Sequence, residues 1–133
     1  IVLMKLNQKI LITGGAGYVG SLLSKKLASS GHKVIIYDTC YYGNDHIFES
    51  DNLKLIKADI RDSQSFEKAL EGIDTVIHLA CISNDPSFAL NENLCKGINY
   101  DCFENLVKIS KKQKVTRFIY ASSSSVYGFS DNE

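Results

Sequence analysis

Five short apolar runs, alternating with stretches of helical spacing, constrain this chain more than any other feature. The runs are Lys9–Thr13, Val34–Asp38, Leu53–Asp59, Thr75–Ala80 and Arg117–Ala121. They are continuously apolar where a half-exposed strand would alternate, which is the pattern of strands covered on both faces. Between the first two, Val19, Leu22, Leu23 and Leu27 recur at helical spacing, with Ser21, Ser24, Lys25 and Lys26 on the other face. Phe66, Ala69 and Leu70 follow a cap at Asp62 or Ser63, and Leu94, Ile98, Cys102, Leu106 and Ile109 mark one stripe of a single longer helix. Gly31 and Gly72 stand where helices end. Residues 39 to 52 are polar and glycine-containing, and are expected to form a loop with a short helix. The alternation specifies a doubly wound parallel α/β sheet, for which right-handed crossovers leave few topologies.

The bulk properties narrow the function. With 133 residues, 44% hydrophobic and 23% charged, the chain has the composition of about one globular domain. Fifteen basic and fifteen acidic residues cancel, so nothing favours a nucleic-acid or anionic-membrane partner. No apolar run approaches the ~20 residues of a membrane span. The opening residues are too short and wrongly charged for a signal peptide, and Met4 is a more natural start than Ile1. Cys40, Cys81, Cys95 and Cys102 lack C-x-x-C spacing. No metal site is expected, and the cysteines read as reduced buried thiols of a cytoplasmic protein. The chain stops soon after a strong strand pattern with no closing element, as a fragment of a longer protein would.

The segment Thr13-Gly14-Gly15-Ala16-Gly17-Tyr18-Val19-Gly20 joins the first strand to the first helix. It contains G-x-G-x-x-G as Gly15, Gly17 and Gly20, and G-x-x-G-x-x-G as Gly14, Gly17 and Gly20. A dinucleotide pyrophosphate needs such a tight turn, a backbone free of side chains, and a helix packed closely on its strand. The helix start at Tyr18 and Val19 then offers N–H groups and a positive dipole end. No G-K-[ST] follows, which excludes a triphosphatase P-loop. Asp38 ends the second strand 18 residues after Gly20, close to the ~20 expected of a carboxylate that accepts from the adenosine ribose hydroxyls. It would repel a 2′-phosphate, and no Arg stands nearby, so NAD is expected over NADP.

These residues, with four further motifs, resemble the extended short-chain dehydrogenase/reductases, specifically the nucleotide-sugar epimerases and dehydratases. The further motifs are Asp59-Ile60-Arg61-Asp62, His78-Leu79-Ala80-Cys81, Ile98-Asn99, and Tyr120-Ala121-Ser122-Ser123-Ser124-Ser125-Val126-Tyr127-Gly128. The resemblance runs from about Lys9 to Gly128. It implies that Asp59 meets the adenine amino group and the Ile60 backbone the ring. It also implies that Leu79, Ala80 and Cys81 line the cofactor cleft, and that Asn99 joins a water and backbone network near the nicotinamide. Ser123, three residues before Val126, would bridge the reacting sugar hydroxyl and a catalytic tyrosine. From the residues alone, Asp59 could equally be a solvated strand-end acid. Asp62 reads as a helix cap, and His78 as a satisfied strand histidine. One departure is Cys102-Phe103, where the family usually has Gly-Thr; it is expected to alter packing near a dimer face. Another is that no Tyr-x-x-x-Lys base lies within the chain.

The resemblance therefore implies a Rossmann-type sheet whose first five strands are ordered 3-2-1-4-5, truncated before the later strands and the substrate domain. It implies the cofactor-binding part of an NAD-dependent nucleoside-diphosphate-sugar 4-epimerase, acting through a transient 4-keto sugar. A nucleotide-sugar substrate, a cytoplasmic setting and a homodimeric parent go with it. The fragment itself is expected to be inactive, and to self-associate through an apolar patch on the fifth strand. A 4,6-dehydratase, a sugar-acid decarboxylase and a non-catalytic dinucleotide-binding module are the alternatives. In the related dehydratases, acidic residues occupy the positions of Ser124 and Ser125, and the decarboxylases keep a glutamate there. Their replacement by serine favours the epimerase.

Overall fold

A computed structural model of the chain describes residues 7–83, 91–123 and 128. Five parallel strands form one sheet: β1 Lys9–Thr13, β2 Lys33–Asp38, β3 Leu53–Lys57, β4 Thr75–His78 and β5 Arg117–Tyr120. The order is β3-β2-β1-β4-β5, as the resemblance implies. The chain moves outward from β1 in one direction through β2 and β3, then returns to place β4 on the other side. The carboxyl ends of β1 and β4 therefore flank the switch point at which open α/β sheets bind their ligands. β3, β4 and β5 each stop one or two residues short of the apolar runs, because the chain there turns into the loops of that end.

Helices cover both faces: α1 Tyr18–Ser29, α2 Ser63–Ala69, α3 Glu92–Lys96 and α4 Phe103–Lys112. Successive strand residues point to opposite faces. Leu11 packs with Tyr37, Phe66, Leu70, Val76, Leu106 and Ile109 on one side. Its neighbours Ile10 and Ile12 pack with Ala28, Val34, Ile36 and Leu53 on the other. This two-sided burial explains why the strands read as continuous apolar runs. β5 is an edge strand, and Ile119 and Tyr120 are 42% and 52% exposed there.

Three expectations about the helices need correction. The buried stripe of α1 is Gly20, Ser24 and Ala28, with Leu23 and Leu27 half-buried, whereas Val19 and Leu22 are exposed. A Cβ on Gly20 would lie 2.4 Å from the Gly14 carbonyl oxygen, so α1 approaches the loop too closely for large side chains on that face. Ser24 tolerates burial because its hydroxyl donates to the Ser21 carbonyl at 3.1 Å within the helix. Residues 39–52 contain turns and an isolated bridge between Ser50 and Leu53, but no helix. The single long helix is interrupted by a π-helical turn at Gly97–Asp101, in which the Cys102 N–H donates to the Gly97 carbonyl five residues back.

Cys40 and Cys95 are buried and Cys102 is half-buried, but Cys81 is exposed where a buried thiol was expected. Among the described residues, no helix is long and apolar enough to cross a membrane. No group of three or more His, Cys, Asp or Glu among them could hold a metal ion.

Candidate cofactor site

The glycine loop is shaped by close backbone approaches. Gly14 has φ +70°, a left-handed conformation that disfavours side chains. A Cβ there would also lie 2.7 Å from the Ala80 nitrogen, so this glycine lets the loop cross the end of β4. Gly15 is buried against Ile36, and Gly20 sets the contact of α1 with the loop. Gly17 differs from these. Its φ of −71° suits any residue, it is exposed, and a Cβ would meet only the Gly14 oxygen, at 3.3 Å. Gly17 caps α1 without a side-chain bond, and the first turn carries no acid. The helix start is exposed at Tyr18 and Val19, and its first turn brings no acidic side chain of its own to the positive end of the helix dipole.

Asp38 stands beside this loop. Its carboxylate accepts the Ala16 N–H at 3.0 Å on Oδ2 and the Cys40 N–H at 2.8 Å on Oδ1. Two of about four acceptor positions are used, so each oxygen can take a further donor. Cys40 has φ +57°, unusual outside glycine, and this turn is what brings its N–H back to the carboxylate. His46 completes the enclosure. Its Nε2 lies 2.8 Å from the Ala16 carbonyl, which can only accept, so the ring nitrogen donates. His46 is separated from Ala16 by 30 residues, and no motif in the sequence marks it.

At the next strand, Asp59 is gripped by Arg61. The guanidinium Nε reaches both carboxylate oxygens, at 3.0 and 3.1 Å, and a terminal nitrogen reaches Oδ2 at 2.6 Å. This hydrogen bonding is the main reason the Asp59 carboxyl is held below its ordinary pKa. The Tyr37 hydroxyl donates to the Asp59 carbonyl at 3.1 Å, and Asp62 caps α2 through the Gln64 and Ser65 N–H groups. Ile60 is buried, with its side chain in the core cluster of Leu11, Tyr37 and Phe66.

After β4, the Leu79 N–H donates to the Thr13 carbonyl at 3.0 Å, and the Ala80 N–H approaches the Thr13 hydroxyl at 3.4 Å. His78 lies 2.7 Å from that hydroxyl through Nδ1 and is 3% exposed. Burial lowers its pKa to about 4, so it is neutral near pH 7. It stacks on Tyr120 at 5.8 Å and also meets Phe103 and Phe118. Phe103, one of the two departures from the usual Gly-Thr, fills this aromatic cluster and lies 4.9 Å from Tyr120. His78 is a satisfied structural histidine.

Asn99 falls inside the π turn. Its amide pairs with both backbone groups of Ile82 and so fixes the segment that follows Cys81. Ser123 is exposed just beyond the carboxyl end of β5. The sheet thus gathers Gly14, Gly17, Gly20, Asp38, Asp59, Ile60, Leu79, Ala80, Cys81 and Ser123 at the carboxyl ends of its strands, with Asn99 bonded in from the helix layer. Ser124, Ser125, Val126 and Tyr127 lie outside the described residues.

The profile of the NAD-dependent epimerase/dehydratase family matches residues 10–133. The chain belongs to this family. Its relatives differ in chemistry. It is 35% identical over 130 residues to a UDP-N-acetyl-alpha-D-glucosaminuronate decarboxylase of Bacillus cytotoxicus, covering 92% of this chain and 39% of that protein. It is 38% identical over 137 residues to a dTDP-D-glucose 4,6-dehydratase of Dictyostelium discoideum, covering 91% of this chain and 30% of that one. Among solved structures, a UDP-N-acetylglucosamine 4-epimerase of Methanobrevibacter ruminantium superposes with a TM-score of 0.84 at 30% identity, covering 95% of this chain and 41% of that chain. The chain therefore spans well under half the length of these relatives.

Proposed function

We propose that this chain is the cofactor-binding part of an NAD-dependent nucleoside-diphosphate-sugar 4-epimerase. The observation that carries the choice of epimerase is the pair Ser124-Ser125 in the stretch Tyr120–Gly128. A lyase must take a proton from C5 and deliver one to the departing oxygen, which requires a titratable acid and base beside the sugar. Serine hydroxyls without an adjacent base are too weak for either step. Chemistry confined to C4 needs neither.

The residues fit NAD. A cradle without side chains lies at Gly17, a helix start faces outward at Tyr18 and Val19, and the Asp38 carboxylate is fixed beside both. In this reading, the α1 amino end and Gly14–Gly20 hold the pyrophosphate, and Asp38 accepts from the adenosine ribose. Asp59 and the Ile60 backbone receive the adenine. Leu79, Ala80 and Cys81 wall the cleft towards the nicotinamide, on a segment held by Asn99. Bound there, NAD supplies reversible acceptance of hydride. The Ser123 hydroxyl holds the sugar 4-hydroxyl in line for removal of its proton by a base outside this chain. A nucleotide-sugar substrate, a cytoplasmic location and a homodimeric full-length enzyme belong to the same reading.

The test is to incubate the full-length enzyme with a panel of nucleotide sugars and identify the products by NMR. Interconversion of C4 epimers is expected. Accumulation of a 4-keto-6-deoxy sugar, or release of carbon dioxide from a uronate, would establish the lyase reading that the decarboxylase and dehydratase relatives support.

A further inference from the structure

We infer that His46 is a positioning residue for the cofactor phosphates, acting through the Ala16 peptide; the inference rests on the dinucleotide reading of the glycine loop. The loop Gly14–Gly17 has three glycines in four residues, and glycine loses more conformational freedom on ordering than any other residue. Something outside the loop must therefore hold its shape. Besides the backbone bond from the Gly14 N–H to the Tyr37 carbonyl at 3.0 Å, the structure provides two side-chain anchors, both on Ala16. The Ala16 N–H donates to Asp38 Oδ2 at 3.0 Å, and the Ala16 carbonyl accepts from His46 Nε2 at 2.8 Å.

Both anchors come from one segment, residues 38–46, and that segment is itself fixed. Cys40 and Ile47 are buried in the same cluster as Ala16, so the residue next to His46 is held in the core that carries the loop. The imidazole is exposed while its neighbour is buried, which leaves the ring with little packing to contribute and one hydrogen bond to make. Electrostatics give that bond a direction. A free carbonyl oxygen in a phosphate loop presents negative charge to an anionic ligand. One that accepts from a ring N–H is partly neutralised and turned to a fixed partner. Asp38 and His46 therefore divide the work: the carboxylate faces the ribose while the imidazole sets the adjoining backbone for the pyrophosphate.

This division makes a prediction that a general structural role does not. Loss of His46 must weaken ligands in proportion to their phosphates and leave the nucleoside alone. The experiment measures binding of NAD, ADP and adenosine by NMR titration to the wild-type chain and to His46→Ala and His46→Gln, with thermal melting of each. In His46→Ala, NAD and ADP are expected to weaken about tenfold, the effect of a single lost bond to a site-shaping group. Adenosine affinity and the melting temperature are expected to be unchanged. His46→Gln keeps a side-chain N–H donor and is expected to restore most of the loss. Equal weakening of all three ligands, or unchanged NAD affinity in His46→Ala, would overturn the role of His46 while leaving the site intact. Failure of the wild-type chain to bind NAD or ADP would overturn the dinucleotide reading itself, and this inference with it.

Discussion

Asn99 and Ile82 hold each other at two points: the Ile82 N–H donates to Asn99 Oδ1 at 2.8 Å, and Asn99 Nδ2 donates back to the Ile82 carbonyl at 2.9 Å. This pairing ties the helix layer to the segment that leaves β4, where Leu79, Ala80 and Cys81 stand. Few substitutes can do both. Asn99→Ala removes both bonds and leaves two backbone groups seeking partners, at about 1 kcal/mol each. The variant is expected to unfold in urea with about 2 kcal/mol less stability. Asn99→Asp keeps an acceptor for the N–H but sets a carboxylate against a carbonyl, and is expected to fare no better near pH 7. A loss below about 0.5 kcal/mol in Asn99→Ala would mean the pairing is not formed in solution.

Asp38 has a structural task and, in the proposed reading, a discriminating one, and the two can be separated. Asp38→Ala leaves the Ala16 and Cys40 N–H groups without their acceptor, which loosens the loop for any dinucleotide. It also removes the charge that repels a 2′-phosphate, which benefits NADP alone. NAD affinity is therefore expected to fall by about tenfold or more while the preference for NAD over NADP shrinks. Calorimetry with both cofactors reads the ratio directly. An unchanged ratio, whatever the loss in affinity, would remove Asp38 from the ribose site.

Much of this was legible in the sequence, and the failures have physical causes. Strand positions followed from apolar runs because burial on both faces leaves no alternation to misread. The α1 face was misjudged because hydrophobicity identified its leucines, whereas packing distance selected Gly20, Ser24 and Ala28. The π turn had left a trace. Leu94, Ile98, Cys102 and Leu106 are spaced by three successive fours, and each step of four overshoots a straight helix turn by about 40°. A single stripe at that spacing requires a widened turn, and it falls around Asn99. His46 left no trace, because its bond to Ala16 depends on how a 14-residue loop folds back, and nothing local encodes that.

The glycines separate stability from binding. Gly20→Ala should raise helix propensity by about 1 kcal/mol, yet its Cβ would lie 2.4 Å from the Gly14 oxygen and 2.6 Å from the Gly15 Cα, both backbone atoms. The clash is expected to win, with a net loss of about 2 kcal/mol in urea unfolding. Gly17→Ala meets only one atom, at 3.3 Å, in a conformation alanine adopts freely. Its stability is expected to change by less than about 1 kcal/mol, the ordinary penalty for alanine at a helix cap. If the space above Gly17 receives the pyrophosphate, the same variant should still bind NAD at least about tenfold more weakly, since a methyl group there replaces an oxyanion contact worth about 1.5–3 kcal/mol. A stable Gly17→Ala protein with wild-type NAD affinity would move the phosphates elsewhere.

His78 should give the fold a pH dependence of its own. Its pKa is lowered by burial from 6.5 to about 4, so the folded state resists a proton that the unfolded chain accepts. Above pH 6.5 both states are neutral there and the contribution to stability is fully present. As pH falls from about 6.5 towards 4, the unfolded state gains protons first and stability declines. Below about 4 both states are protonated and the decline from this group ends. A shift of this size corresponds to about 3 kcal/mol over that window. Asp59 and Glu67 also have lowered values, from 3.8 and 4.5, so their losses begin lower and fall largely outside the window. His78→Phe keeps a ring among Phe103, Phe118 and Tyr120 and removes the titrating group, at the cost of the bond to Thr13. Urea unfolding at half-unit pH steps is expected to show the wild-type chain losing stability between pH 6.5 and 4.5 and the variant nearly flat there. Parallel curves for the two proteins would mean that solvent reaches His78 and that the aromatic cluster does not exclude it.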